Sequence, residues 1–321
     1  EERIRWILEQ QLYGCAPSNI IYNMVRNYVY AGFPEIDDSN LLELDLTEAA
    51  KEGRVKQVLA ERFGEEMKFD IVIGNPPYQE LYNNISGNTA NAKSIYNLFI
   101  DEALQISQHY IAMITPSKWM TKTSQGITGK WVEDTIKSKK FRVMHDFEDS
   151  SDCFPDNVTI MGGVNYFLWD KDYDGECEYF YYPKGSVSQH KRLLLDSQGL
   201  GFVVRSPKAH ILIEKIRAVE GENYGLKGNS FSEYVSPKDF FNNREVLTSN
   251  WQGYSLQKTE QHTIKCYLND RLQAGGIGWM KFEDLVKNKE TAKLHKVYVP
   301  AAHGSEIQVL GYPFYGEPNS V

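Results

Sequence analysis

The sequence predicts an α/β fold over residues 1–182, a largely parallel sheet with crossover helices and an antiparallel last strand, followed by a mixed α+β region at 183–321. Three observations carry this. Helical and strand-like periodicities alternate along the first half of the chain, the pattern of βαβ units. The last two strand-like runs, at 141–147 and 158–169, are too close for a crossover helix between them, so they pair antiparallel. From about residue 183 the alternation fades into segments such as 224–255 that mix Gly, Asn, Ser and aromatics.

Residues 1–12 set Ile4, Ile7, Leu8 and Leu12 on one helical stripe. A short strand is expected at 12–15, after which Pro17-Ser18-Asn19 caps a second helix with Ile20, Ile21, Met24, Val25, Tyr28 and Val29 at helical spacing. Residues 40–46 read as a strand ending near Asp45, and 48–63 as a charged helix. The run 69–73 is too short for a helix and rich in β-branched residues, so it reads as a buried strand. The polar stretch 83–91 fits either a mobile loop beside a site or a plain surface loop. Residues 92–107 form an amphipathic helix with Ile95, Phe99, Ala103 and Ile106 in register; a strand at 109–114 and a helix at 129–138 follow. Gly162-Gly163 interrupts the last strand, and 207–219 keeps helical spacing through Ile211, Leu212 and Ile216.

Composition narrows the function classes. A chain of 321 residues has room for two domains, and no apolar run approaches a membrane span. Glu1-Glu2-Arg3 opens straight into helix-like sequence, unlike a signal peptide, and both ends read as cuts through a longer protein. Cys15, Cys153, Cys177 and Cys266 are scattered without a CxxC pair, which suggests reduced thiols in a cytoplasm and no zinc site or other metal centre. His295 and His303 have no partners at ligand spacing and read as ordinary polar residues. A net charge of −8 argues against a generic nucleic-acid binder, although a local basic cleft could still hold DNA. Gln189-His190-Lys191-Arg192 and the lysines at 281, 287, 289, 293 and 296 are the local basic runs.

The chemistry concentrates at Gly74-Asn75-Pro76-Pro77-Tyr78, directly after the strand at 69–73. Two prolines stop the ladder and stiffen a loop at the C-terminal end of a strand, where open α/β sheets place ligands. The Asn75 side-chain oxygen and the Pro76 carbonyl are two fixed acceptors for the hydrogens of a planar –NH₂ group. Tyr78 adds a face for stacking. Drawing on both hydrogens favours a pyramidal nitrogen whose lone pair is free to attack an electrophile. An Asn-Pro turn with no such role is the plainer alternative.

Phe69-Asp70-Ile71-Val72-Ile73-Gly74-Asn75-Pro76-Pro77-Tyr78 resembles the catalytic segment of S-adenosylmethionine-dependent amino-methyltransferases, most closely the adenine-N6 DNA methyltransferases of type II and IIG restriction–modification systems. Further segments are similar to that family in order. They are Asn40-Leu41-Leu42-Glu43-Leu44-Asp45-Leu46, Tyr96-Asn97-Leu98-Phe99, and Tyr110-Ile111-Ala112-Met113-Ile114-Thr115-Pro116-Ser117-Lys118-Trp119. Asp149-Ser150-Ser151-Asp152-Cys153-Phe154-Pro155 and Gly162-Gly163-Val164-Asn165-Tyr166-Phe167-Leu168 complete the series. The resemblance implies a Rossmann-like methyltransferase sheet and S-adenosyl-L-methionine as cofactor. It implies catalytic roles for Asn75, Pro76, Pro77 and Tyr78, and cofactor contacts at Gly14, Asp45 and Asn75. Tyr78 and Phe154 would stack on a flipped adenine, although a loop aromatic capping the core is the other reading of Phe154.

Two departures stand out. The family's glycine-rich cofactor loop would precede the strand at 12–15, and Tyr13-Gly14-Cys15-Ala16 carries alanine where the family places an acid for the ribose. Gly275-Gly276-x-Gly278 does not replace that loop and reads as a turn region. The grip on the cofactor is therefore expected to be incomplete, and the fragment alone inactive. The implied partners are double-stranded DNA, read by a target-recognition region at 183–321, and a restriction endonuclease domain or subunit. Methylation of a protein glutamine amide or an RNA base, and a non-catalytic DNA-binding or specificity role, are the rival readings.

Overall fold

The structure, a computed structural model, describes the chain apart from residues 34, 66, 81–92, 155–158, 227, 229–234, 237–239, 242, 244, 249–250, 268–275 and 300–312. The polar stretch at 83–91, Pro155, Gly275 and His303 therefore lie outside the described residues. The chain parts into two compact units, Glu1–Leu226 and Lys227–Val321.

The first unit opens with α1 (Glu2–Gln10), β1 (Gly14–Ala16), α2 (Asn19–Val29) and β2 (Leu41–Glu43). Ser18 caps α2, its hydroxyl accepting from the Ile21 amide at 3.4 Å. β1 and β2 pair in parallel as a sheet of their own, Gly14 opposite Leu41. A Cβ on Gly14 would meet the Leu41 side chain at 2.8 Å, so glycine lets the two strands close.

The helix expected at 48–63 is two, α3 (Thr47–Lys51) and α4 (Val55–Phe63). They are broken at Gly53, which adopts φ +66, a conformation that stops a helix. There follow β3 (Phe69–Gly74), β4 (Gln79–Glu80), β5 (Lys93–Ser94), α5 (Tyr96–Ile106), β6 (Ser107–Pro116) and α6 (Gly129–Lys137). The remaining elements of this unit are β7 (Phe141–Phe147), β8 (Val164–Asp170), β9 (Cys177–Tyr182), β10 (Gln189–Leu193) and α7 (Pro207–Glu220). Six strands form one mixed sheet in the order β10-β9-β7-β8-β6-β3. β3 and β6 are parallel, and β8 runs antiparallel to both β6 and β7, as expected, although β8 begins at Val164 and not at 158.

One expectation needs correction. β3 is not buried on both faces: Ile71 is 54% and Ile73 79% exposed. Among the described residues β3 pairs with β6 alone, so it is an edge strand, and only Val72 packs against the main core. An apolar run reports which side chains can be buried, not which ones a neighbour covers.

That core lies on one face of the sheet, where Met113, Met144, Phe167 and Tyr179 meet Trp119, Met120, Val132, Ile136 and Tyr96. On the other parity, rings stack from strand to strand: His190 on Phe180 at 4.3 Å, Phe180 on His145 at 4.5 Å, and His145 on Tyr166 at 4.6 Å. A smaller cluster joins Ala49, Ala50, Val55 and Leu59 to Cys15, Phe69 and Phe99.

In the second unit, β11 (Ile264–Tyr267) pairs antiparallel with β12 (Ile277–Met280), and after α8 (Lys289–Ala292) β13 (Lys296–Tyr298) pairs antiparallel with β14 (Phe314–Gly316). Ile264, Cys266, Met280, Leu285, Ala292 and Val321 form its core. Gly278 sits inside β12 and not in a turn, another correction: its neighbours Ile277, Trp279 and Met280 supply the strand former character that the glycine hides.

Candidate functional site

A cavity of about 620 Å³ lies between the β1–β2 pair and β3. The sheet break supplies its walls: Tyr13, Gly14 and Cys15 on one side, β3 apart from Asp70 on the other, and Phe63, Phe99 and Glu102 from the helices. Its rim carries Asp45 after β2 and Asn75, Pro76 and Pro77 after β3. Tyr13, Phe63 and Phe69 hold the two walls together by edge-to-face contacts, with Tyr13 at 5.0 Å from Phe63 and 5.6 Å from Phe69. The volume falls within the range of about 300–1,000 Å³ typical of small-molecule and cofactor sites.

The polar groups on this rim are held but not used up. The Asp45 carboxylate is exposed, and its Oδ1 accepts from the Thr47 amide at 2.8 Å, an Asx turn that leaves Oδ2 without a described partner. Asn75 is exposed and its amide makes no hydrogen bond to any other described residue, whereas Pro76 is buried and anchors the loop. Burial pushes the Cys15 thiol up to about 11, so this cavity-lining cysteine is a poor nucleophile at neutral pH.

The structure thus brings Gly14, Asp45, Asn75, Pro76 and Pro77 to one cavity. Tyr78 and Phe154 do not line it. Tyr78 turns its ring toward the main core, edge-to-face with Tyr96 at 6.4 Å, and its carbonyl accepts from the Ile95 amide at 3.3 Å. Its hydroxyl is buried without a hydrogen-bond partner among the described residues. Burial first, and the neighbouring Cys153 second, push that hydroxyl up to about 12. Phe154 follows the turn Ser150–Asp152, half-buried, with its amide donating to the Ser150 carbonyl at 2.8 Å. No ring contact joins it to Tyr78 among the described residues, but its neighbour Cys153 is within electrostatic reach.

Sequence reasoning passed over a second constellation at the same sheet edge. Asp146, fully buried near the end of β7, accepts from Ser117 Oγ at 2.6 Å, from the Tyr179 hydroxyl, and from Arg205 Nε and Nη2, both at 2.7 Å. Arg205 Nη1 also donates to the Gly162 carbonyl at 2.8 Å. Burial works against the Arg205 charge, yet Asp146 more than offsets it and holds the guanidinium above its ordinary value. Tyr179 is likewise raised, by burial first and Asp146 next. A signal existed: Asp146 shares the inward parity of Met144, and a charged residue on the buried side of a strand calls for a partner.

Residues 10–154 match the Eco57I restriction-modification methylase family. The resemblance read from the sequence is borne out by that match. Over 111 residues, 34% of this chain, the sequence is 41% identical to an uncharacterized adenine-specific methylase of Mycoplasma pneumoniae (strain ATCC 29342 / M129). That stretch covers 25% of the relative's own length. Among solved structures, the chain is similar to the type IIG restriction endonuclease BpuSI, at TM-score 0.38 and 13% identity over 87% of this chain and 41% of that one. A DrdV–DNA complex aligns at TM-score 0.40 and 14% identity, over 60% of this chain and 24% of the other. A modification subunit of a putative type I restriction enzyme from Vibrio vulnificus YJ016 aligns at TM-score 0.37 and 18% identity, over 58% and 38%. Among the described residues no helix is long and apolar enough to cross a membrane, and no cluster of His, Cys, Asp and Glu could hold a metal.

Proposed function

We propose that this chain carries the catalytic residues of an S-adenosyl-L-methionine-dependent DNA methyltransferase of a restriction–modification system, acting on the N6 amino group of adenine. The observation that carries the reading is the shared cavity: Gly14 and Asp45, the expected cofactor contacts, line the same space as Asn75 and Pro76, the expected amino-group acceptors. All four lie inside the stretch that matches the methylase family.

The cavity suits the cofactor in size and in kind, with apolar walls for an adenine ring and an exposed carboxylate, Asp45, for polar or cationic groups. When bound, S-adenosylmethionine supplies a methyl group on a sulfonium, an electrophile that needs no acid or base to activate it. The chain's own residues prepare the acceptor. Asn75 Oδ1 and the Pro76 carbonyl take one amino hydrogen each, holding the adenine nitrogen so that its lone pair faces the cavity. Tyr78, anchored on Tyr96, bounds the base site, and Phe154 closes it from the other side. The base reaches this site only once flipped from the duplex, at a cost that contacts elsewhere must repay. The region expected to read the target sequence, 183–321, shares its first part, through Leu226, with the unit that holds the sheet, and a nuclease domain or subunit would be the functional partner. The scattered free cysteines fit a cytoplasmic enzyme.

Asn75→Ala in the complete protein tests the mechanism. Methyl transfer to duplex DNA containing the target adenine should fall about 10²–10³-fold or more, the cost of removing a positioned acceptor. S-adenosylmethionine affinity should hold within about threefold. A variant that retains most of its activity would sink the reading.

One observation favours a second reading, a DNA-binding or specificity role without catalysis for residues 1–321 by themselves. Ala16, where the family places its ribose-binding acid, is 2% exposed inside β1 and offers no carboxylate. Calorimetry of this chain with S-adenosylmethionine decides it: micromolar binding removes that reading's main support.

A further inference from the structure

We infer that Arg205, clamped on Asp146, is a positioning residue for the two stems of the segment between β7 and β8, and through Phe154 for the base site; the second step rests on the methyltransferase reading. The segment leaves the sheet at Phe147 and returns at Gly162-Gly163. One guanidinium ties both stems. Nε and Nη2 grip Asp146 on the outgoing stem, and Nη2 also reaches the Phe147 carbonyl at 3.5 Å. Nη1 takes the Gly162 carbonyl of the returning stem at 2.8 Å.

The stems are pinched together where this happens. Gly162 and Gly163 adopt φ +92 and +84. A Cβ on Gly163 would fall 2.0 Å from the Phe147 carbonyl oxygen. The Gly163 carbonyl then accepts from the Ser117 amide at 2.9 Å, which ties the returning stem to the end of β6. Inside the segment, the Cys153 and Phe154 amides both donate to the Ser150 carbonyl, at 3.1 and 2.8 Å. The Ile160 amide donates to Ser150 Oγ at 2.8 Å. The backbone at Cys153 and Phe154 is thus set from stems that Arg205 holds.

Lysine cannot replace this arrangement. A single ammonium can keep the charge opposite Asp146, but it lacks the planar fork that meets two carboxylate oxygens and a carbonyl on the opposite strand at once. The two requirements, charge neutralisation and stem alignment, are therefore separable by substitution.

Arg205→Lys in the complete protein is the test, read by amide hydrogen exchange and by single-turnover methyl transfer. The Cys153, Phe154 and Gly163 amides should exchange about tenfold faster, while the interiors of β6 and β9 stay within about twofold of wild type. The transfer rate should fall about tenfold with S-adenosylmethionine affinity unchanged within twofold. Arg205→Ala supplies a second arm: titrated methylguanidinium, which refills the vacated fork, should slow exchange at the same three amides again. Unchanged exchange there, or acceleration spread evenly over β6, β8 and β9, overturns the positioning role. If wild type methylates no duplex DNA while the three amides respond as stated, the positioning role stands and the proposed function falls.

Discussion

The ends of β3 and β7 lie at the same edge of the same sheet, and they treat their polar groups in opposite ways. After β3, Asn75 is exposed and unbonded among the described residues, and Asp45 across the cavity uses one oxygen of two. At the end of β7, Asp146 is fully buried and takes donors from Ser117, Tyr179 and Arg205. Spare acceptors bind something that arrives later; saturated ones hold the frame that receives it. The difference separates residues whose loss should cost activity directly from those whose loss should cost the stability of the frame, and activity only through it.

Asp146→Ala is the strongest attempt to break that division. It strands the Arg205 guanidinium, whose side chain is 16% exposed, opposite nothing, and should destabilise the protein by about 3–5 kcal/mol. Urea unfolding measures this, and a loss below about 1 kcal/mol would show that water already solvates the pair. Next comes Gly163→Ala, which combines a positive φ with a carbonyl oxygen in the way. It should cost about 1–3 kcal/mol by the same assay.

A smaller effect comes from acidification. Burial lowers the pKa of His145, and burial also lowers that of His210 against the opposing pull of the Val204 carbonyl. Both therefore take up protons more readily in the unfolded chain, whose histidines titrate near about 6.5. Their contribution is complete above that pH and is lost as pH falls through the lowered folded values. Thermal midpoints should decline from about pH 7 to pH 5, and His145→Phe should shallow the decline. Smallest of all, Asn75→Ala and Ile73→Thr should each change stability by no more than about 0.5 kcal/mol, since both side chains are exposed. A larger loss at Asn75 would place it with the frame.

Much of the first unit could be read from the chain because local signals agree with one another. Thr128 caps α6, the alternation of 141–147 is that of a half-buried strand, and the two prolines after Gly74 end β3 where they stand. The tetrapeptide by itself marks Asn75 and Pro76, without reference to the fold. What stayed hidden depends on partners distant in sequence. Ile71 and Ile73 look like core residues in one dimension, and only the sheet order shows that their side of β3 lacks a described neighbour. Asp146 and Arg205 are 59 positions apart, and neither spacing nor composition links them. The break at Gly53 was visible as a glycine, but the charged residues around it kept helical spacing on both sides.

The edge position of β3 has a consequence for how this polypeptide behaves in a test tube. A strand with isoleucines 71 and 73 exposed along the cavity wall, and backbone groups unpaired along one side among the described residues, is a template for β-augmentation by an extended chain that enters that cleft. A net charge of −8 opposes self-association through long-range repulsion, and that repulsion weakens as salt is raised. Solutions of residues 1–321 should therefore stay clear at low ionic strength and turn cloudy as sodium chloride is added.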